Sequence, residues 1–149
     1  MKPVRTWILV ADGARGRVYE SLGKSGEVAE REEFRRDTDL PPTRELDDDR
    51  PGRGNIPATT SRHAFQPTSD AHRELKRTFA EDLAAMLDEQ LQAGAYDRLV
   101  LVAAPVTLGD LREALPDRVR GVIVAELDKD LTKHTARELA AYLEDVLTL

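Results

Sequence analysis

Three histidines, a turn aspartate and a scatter of arginines are the residues here that could do chemistry. Asp12 stands directly after the apolar run Trp7 to Ala11, where a strand would deliver a carboxylate to the edge of a sheet. Two-metal nucleases need several such carboxylates converging, so that both attacking and leaving oxygens are stabilised. The other apolar run, Arg98 to Ala104, holds no acid. Asp12 therefore reads as a hairpin turn residue, and no metal is expected. His63, His72 and His134 lack the i, i+4 spacing and third ligand of a zinc site, and there is no cysteine. No Gly-x-Ser-x-Gly elbow, P-loop or Gly-x-Gly-x-x-Gly occurs. The pair Gly13 and Gly16 leads into a strand, so no helix N-terminus is there for a phosphate. No catalytic residue and no cofactor are expected, and the chain leans away from being an enzyme.

Ser61-Arg-His-Ala-Phe-Gln-Pro67 is the most unusual segment, because it places a guanidinium, an imidazole, a ring and a carboxamide together ahead of a helix. Arginine and a helix end can face a phosphate, and a ring can stack on a base. Phe65 can equally staple the segment to the core while Arg62 and His63 stay solvated. Arg50 to Arg62 adds three arginines and no acid, right after Glu45, Asp47, Asp48 and Asp49. The net charge of −6 argues against a surface that grips nucleic acid everywhere, but it leaves room for a local basic contact.

These groups need elements to hold them. The 149 residues suffice for one domain with a real core, and the whole of 1–149 is read as one domain. Trp7 to Ala11 is a central strand, and Asp12-Gly13 a turn in which glycine would accept positive φ. Arg17 to Leu22 and Glu27 to Phe34 complete an antiparallel meander, with a turn at Gly23 to Gly26. From Arg36 to Ser69 no period survives, so a long polar loop is expected. Asp70 to Ala93 is the clearest helix, with Leu75, Phe79, Leu83, Met86, Leu87 and Leu91 in one stripe and Gly94 to end it. Arg98 to Ala104 and Val119 to Leu127 are strands. Thr107 to Asp110 is read as a capping box opening a short helix to Leu115. Thr135 to Glu138 opens a last helix whose stripe is Leu139, Tyr142, Leu143, Val146 and Leu147. The expected fold is α/β: a mixed five-stranded sheet, the meander plus two parallel strands, with helices on its faces and a ribonuclease-H-like topology.

No secretory h-region of roughly 7–15 apolar residues and no stretch of about 20 that could span a bilayer occurs. A cytoplasmic location follows as the default, with neither membrane nor DNA as partner.

Four segments then carry a resemblance: Val10 to Tyr19, Ser61 to Pro67, Ala104 to Arg112 and Glu126 to Thr132, in this order and spacing. Together they resemble the family described as "protein required for attachment to host cells", across essentially the whole chain. That family resembles in turn the middle domain of archaeal and eukaryotic class 1 peptide release factors. There a loop ahead of a long helix carries Gly-Gly-Gln into the peptidyl-transferase centre. The resemblance implies a release-factor-like topology and a ribosome or RNA partner; the residues expected to make that contact are the loop Arg50 to Pro67 together with Asp12, Arg15, Arg17, Arg62, His63 and Gln66. This sequence has no Gly-Gly-Gln, so peptidyl-tRNA hydrolysis does not carry over. A cytosolic interaction module, acting indirectly in attachment without RNA, is the alternative, and a hydrolase built on Asp12 and His63 ranks last.

Overall fold

The computed structural model describes residues 4–22, 28–38 and 58–146, with side chains for all of these except 22, 58–70, 145 and 146. The strands are β1 (Arg5–Ala11), β2 (Arg15–Leu22), β3 (Val28–Glu30), β4 (Arg36–Asp37), β5 (Arg98–Ala103) and β6 (Ile123–Leu127). The helices are α1 (Ala58–Gln92), α2 (Pro105–Ala114), α3 (Asp117–Arg120) and α4 (Ala136–Val146). The sheet is mixed and runs β3-β2-β1-β5-β6, with β4 added to the start of β2. The α/β reading with an antiparallel set beside parallel strands therefore holds, and the order is compatible with the ribonuclease-H-like pattern.

β1 lies in the middle because its run Thr6 to Ala11 is apolar enough to be buried on both sides. It pairs antiparallel with β2, from Arg5 opposite Leu22 to Ala11 opposite Gly16. It pairs parallel with β5, from Thr6 opposite Arg98 to Ala11 opposite Ala103. Alternation then sorts the side chains. Trp7, Leu9, Leu99 and Leu101 enter the core beneath α1 and α2. Ile8, Val10, Val100 and Val102 enter the core beneath α4, together with Leu131, Leu139 and Leu143.

Five expectations need correction. Among the described residues the sheet has six strands, because Arg36–Asp37, expected as loop, pairs with β2 as β4, while the stretch read as one strand, Glu27 to Phe34, breaks after Glu30. Arg31 turns the chain there: its N–H reaches the Val18 carbonyl at 2.7 Å, and its guanidinium holds Glu20. One 3-10 turn, Glu32–Phe34, brings Phe34 against Trp7, with ring centres 4.9 Å apart. Second, the long polar loop does not extend to Ser69. Residues 58–69 already belong to α1, since lengthening a formed helix adds a hydrogen bond per residue without a new nucleus. Residues 39–57 of that expected loop lie outside the described residues, as does the turn at Gly23 to Gly26.

Third, α2 begins at Pro105 with Ala104 as its N-cap and no side-chain cap, so Thr107 to Asp110 is not a capping box. Fourth, the last strand starts at Ile123, because Val119 is buried within the single turn of α3. Fifth, Leu75 is 45% exposed, so the α1 stripe reaches the core only from Phe79 onward, and Tyr142, 39% exposed, drops out of the α4 stripe. Two end signals hold as expected. Gly94, at φ 78°, closes α1 with a Schellman pair, Ala95 N–H to Gln90 O and Gly94 N–H to Leu91 O. Thr135 and Glu138 cap each other's N–H groups at 2.9 and 3.2 Å.

Candidate functional site

The parallel strands β1, β5 and β6 all end on one edge of the sheet, so Asp12, Ala104 and Asp128 leave together. Outside the carboxyl ends of such strands is where α/β sheets commonly place ligands. Asp12 organises this edge. Its carboxylate accepts the N–H groups of Ala14 at 2.8 Å and Arg15 at 2.7 Å, and the Arg15 guanidinium at 2.8 and 3.1 Å. Burial pushes its carboxyl up, but those hydrogen bonds and the Arg15 charge outweigh it and hold the group below its ordinary range. The loop after β6 closes on the same point. The Thr132 hydroxyl donates to Asp130 at 2.6 Å and lies 3.4 Å from Asp12 Oδ2.

Gly13 earns its place for a reason the sequence reading missed. Among the described residues only Gly94 has positive φ. A Cβ at Gly13 would instead lie 2.9 Å from Cγ of Lys76, whose stem crosses the turn. Two turns further along the same side of α1, Leu83 fills the notch left by Gly16, where a Cβ would lie 2.7 Å from Leu83 Cδ2. The two glycines therefore let α1 lie close to the hairpin.

Arg73, between these contacts and the first turns of α1, forks onto Asp110 of α2 at 2.8 and 2.6 Å. Asp110 is 5% exposed. A buried carboxylate needs such a partner, and a bidentate arginine is the strongest available. Sequence reasoning missed this pair because its members stand 37 residues apart. The one available signal was an aspartate enclosed by Leu108 and Leu111 on a short helix.

The site residues expected from sequence divide into two sets. Arg15 and Arg17 share the parity of Tyr19, on the α4 side of β2. Each already holds a carboxylate: Arg15 that of Asp12, and Arg17 that of Asp37 at 2.9 Å, along with the Arg36 carbonyl at 3.3 Å. Arg62, His63 and Gln66 ride instead on α1, which covers the opposite face, and their side chains lie outside the described residues. Self-pairing is general: from Arg5–Asp97 to Arg118–Asp88, most described arginines hold an acid. Lys76 has no carboxylate within ion-pair distance among the described residues.

A shallow depression of about 420 Å³ lies on the outer side of α4, lined by His134, Glu138, Ala141 and Tyr142. The His134 ring stands edge-on to Tyr142 at 5.5 Å, and Glu138 is occupied by its cap. Among the described residues no three histidines, cysteines or acids gather as metal ligands, and no helix is long and apolar enough to cross a membrane.

The family model for "Protein required for attachment to host cells" matches residues 7–143, and the chain belongs to that family. No curated protein matches the sequence significantly.

Proposed function

We propose that this member of the host-attachment family is a cytosolic, non-catalytic domain that contacts the ribosome or an RNA, as the middle domain of class 1 release factors does. The contact would be made at the carboxyl edge of the sheet by the first turns of α1. The observation that carries this reading is the continuity of α1. One helix runs from Ala58 to Gln92, and its second half is fixed in the core by Phe79, Leu83 and Leu87.

Helical register supports the choice of face. At 100° per residue, positions 62, 66, 73 and 76 fall within an arc of about 80°. The same arc holds Ala80, Ala84 and Leu87, which are buried against the sheet. By register, the face of α1 that seals the core continues through positions 76 and 73 to positions 66 and 62. Asp12 and Arg15, neutralising each other, would shape that edge rather than grip phosphate. With no Gly-Gly-Gln in the chain, no hydrolytic step is assigned.

The self-pairing of the arginines favours the second reading, an interaction module without RNA through which attachment is served indirectly. Sedimentation with ribosomes separates the two. The first reading expects the protein to pellet at low salt and to be released at higher salt. With Arg62 and Lys76 neutralising two phosphates, the logarithm of affinity should fall against that of salt with a slope near −1.4, at about 0.7 per contact. Changing both to alanine should flatten that slope. No pelleting of the wild-type chain at low salt would leave the interaction module as the reading.

A further inference from the structure

The Arg73–Asp110 pair is joined across two helices at a height where, among the described residues, the apolar side chains of α1 are no longer buried. Phe79 is buried, but Leu75, one turn earlier, is nearly half exposed, and Ala71 is exposed as well. Between these positions α1 is held by the fork of Arg73 on Asp110 and by the stem of Lys76 across Gly13. α2 is itself fixed, since Leu108, Leu111 and Leu115 belong to the core.

From these contacts we infer that Asp110 is a positioning residue: through Arg73 it sets the direction in which α1 leaves the sheet, and so aims the face that carries positions 62 and 66. The inference rests on the proposed RNA contact for its functional consequence, but not for its structural one.

The geometry gives the size of the effect. From Phe79 to Pro67 is 12 residues, or about 18 Å of helix. A swing of about 10° around the core-held end would move the helix by roughly 3 Å at Pro67, and more beyond it. Hydrogen bonds to phosphate oxygens tolerate only a few tenths of an ångström around 2.7–3.2 Å, so such a swing would break the contact. A point charge at position 73 would hold this angle less well than a planar fork does, because two parallel bonds fix orientation as well as distance. Substitution of Arg73 by lysine should therefore give an intermediate state.

The chain has no cysteine, which makes the angle measurable. Spin labels at Thr60→Cys and Ala141→Cys would report the distance from the first turns of α1 to the exposed side of α4. With the native pair the distance distribution should be narrow. Asp110→Asn should broaden it or shift it by about 3 Å or more, the displacement expected from the lever of a helix rising 1.5 Å per residue. Since Asp110→Asn removes the charge that faces the half-exposed Arg73 and puts an amide at a buried position, which could unfold the protein, Arg73→Met combined with Asp110→Leu serves as the second variant. Apolar replacement of both members of an ion pair that has a buried carboxylate is often tolerated or stabilising, so this variant should keep the melting temperature while its distribution stays broad. Ribosome sedimentation of the same variants should show a several-fold weaker association, with Arg73→Lys between them and the wild type. An unchanged distribution in the stable double variant would overturn the inference whether or not the wild type binds ribosomes. A broadened distribution with no binding by the wild type would instead retain the positioning role and sink the RNA reading.

Discussion

Substituting alanine for Gly16 should change sign with the residue that faces it. A Cβ at Gly16 would stand 2.7 Å from Leu83 Cδ2, 3.3 Å from Cδ1 and 3.6 Å from Cγ. The shortest of these is about 1 Å inside the 3.5–4.0 Å at which carbon atoms attract. Leu83 cannot step aside, because it is fully buried between the sheet and α1. The clash should therefore cost about 1–3 kcal/mol, as overpacking of a core does. Leu83→Ala alone should cost about 2–5 kcal/mol, from the lost transfer energy and the cavity left behind. In the Leu83→Ala background the methyl at position 16 meets space instead of Cδ2. Gly16 does not have positive φ, so alanine there also restricts the unfolded chain, which favours folding by about 0.4–1 kcal/mol. Gly16→Ala should then be neutral or stabilising, and the coupling between the two changes should be about 1–3 kcal/mol. Denaturant melts followed by fluorescence would measure this, since Trp7 is the only tryptophan and is wholly buried against Tyr96. The slope against denaturant should stay constant across the four proteins, so that midpoints report stability. An equal cost for Gly16→Ala in both backgrounds would refute the close approach of α1 to the hairpin.

Three further outcomes are expected. Asp12→Ala should lower stability at neutral pH by about 1–3 kcal/mol, because it removes hydrogen bonds to a charged acceptor. The folded carboxyl sits below its ordinary value of 3.8, so its contribution is complete above that pH and is lost as pH falls through the lower, folded value. Melts of both proteins should accordingly show a constant gap down to about that pH and a closing gap below it; a gap that widened in acid would reverse the assignment. Ser21 is 1% exposed and its hydroxyl has no partner among the described residues, so Ser21→Ala should leave the stability measured in denaturant melts unchanged or raise it by up to about 1 kcal/mol. Gly109 lies inside α2 with open space where its Cβ would be; Gly109→Ala should stabilise by about 1 kcal/mol in the same assay, and a loss would mean that the helix needs the glycine for packing.

Much of the scaffold was legible in the residues alone, because its signals are local. Trp7 to Ala11 is a run that only a central strand can hide, and β1 is central. Gly94 and the Thr135–Glu138 box end and begin helices through bonds between near neighbours, and both were read correctly. The polar start of α1 was not legible, because residues 58–69 have no apolar period and only continue a helix whose buried stripe lies later in the chain. The candidate edge was half legible. Asp12 and Arg15 could be named because they sit in a turn signal, but their mutual neutralisation needed the turn's geometry. Arg73 with Asp110, Lys76 across Gly13, and Thr132 beside Asp12 are contacts between residues 37, 63 and 120 positions apart. No spacing in a single sequence encodes them. Burial of Asp110 and the closeness of α1 to the hairpin exist only once the sheet has brought the segments together, since only there does a buried charge need its partner and a missing Cβ make room for a neighbour.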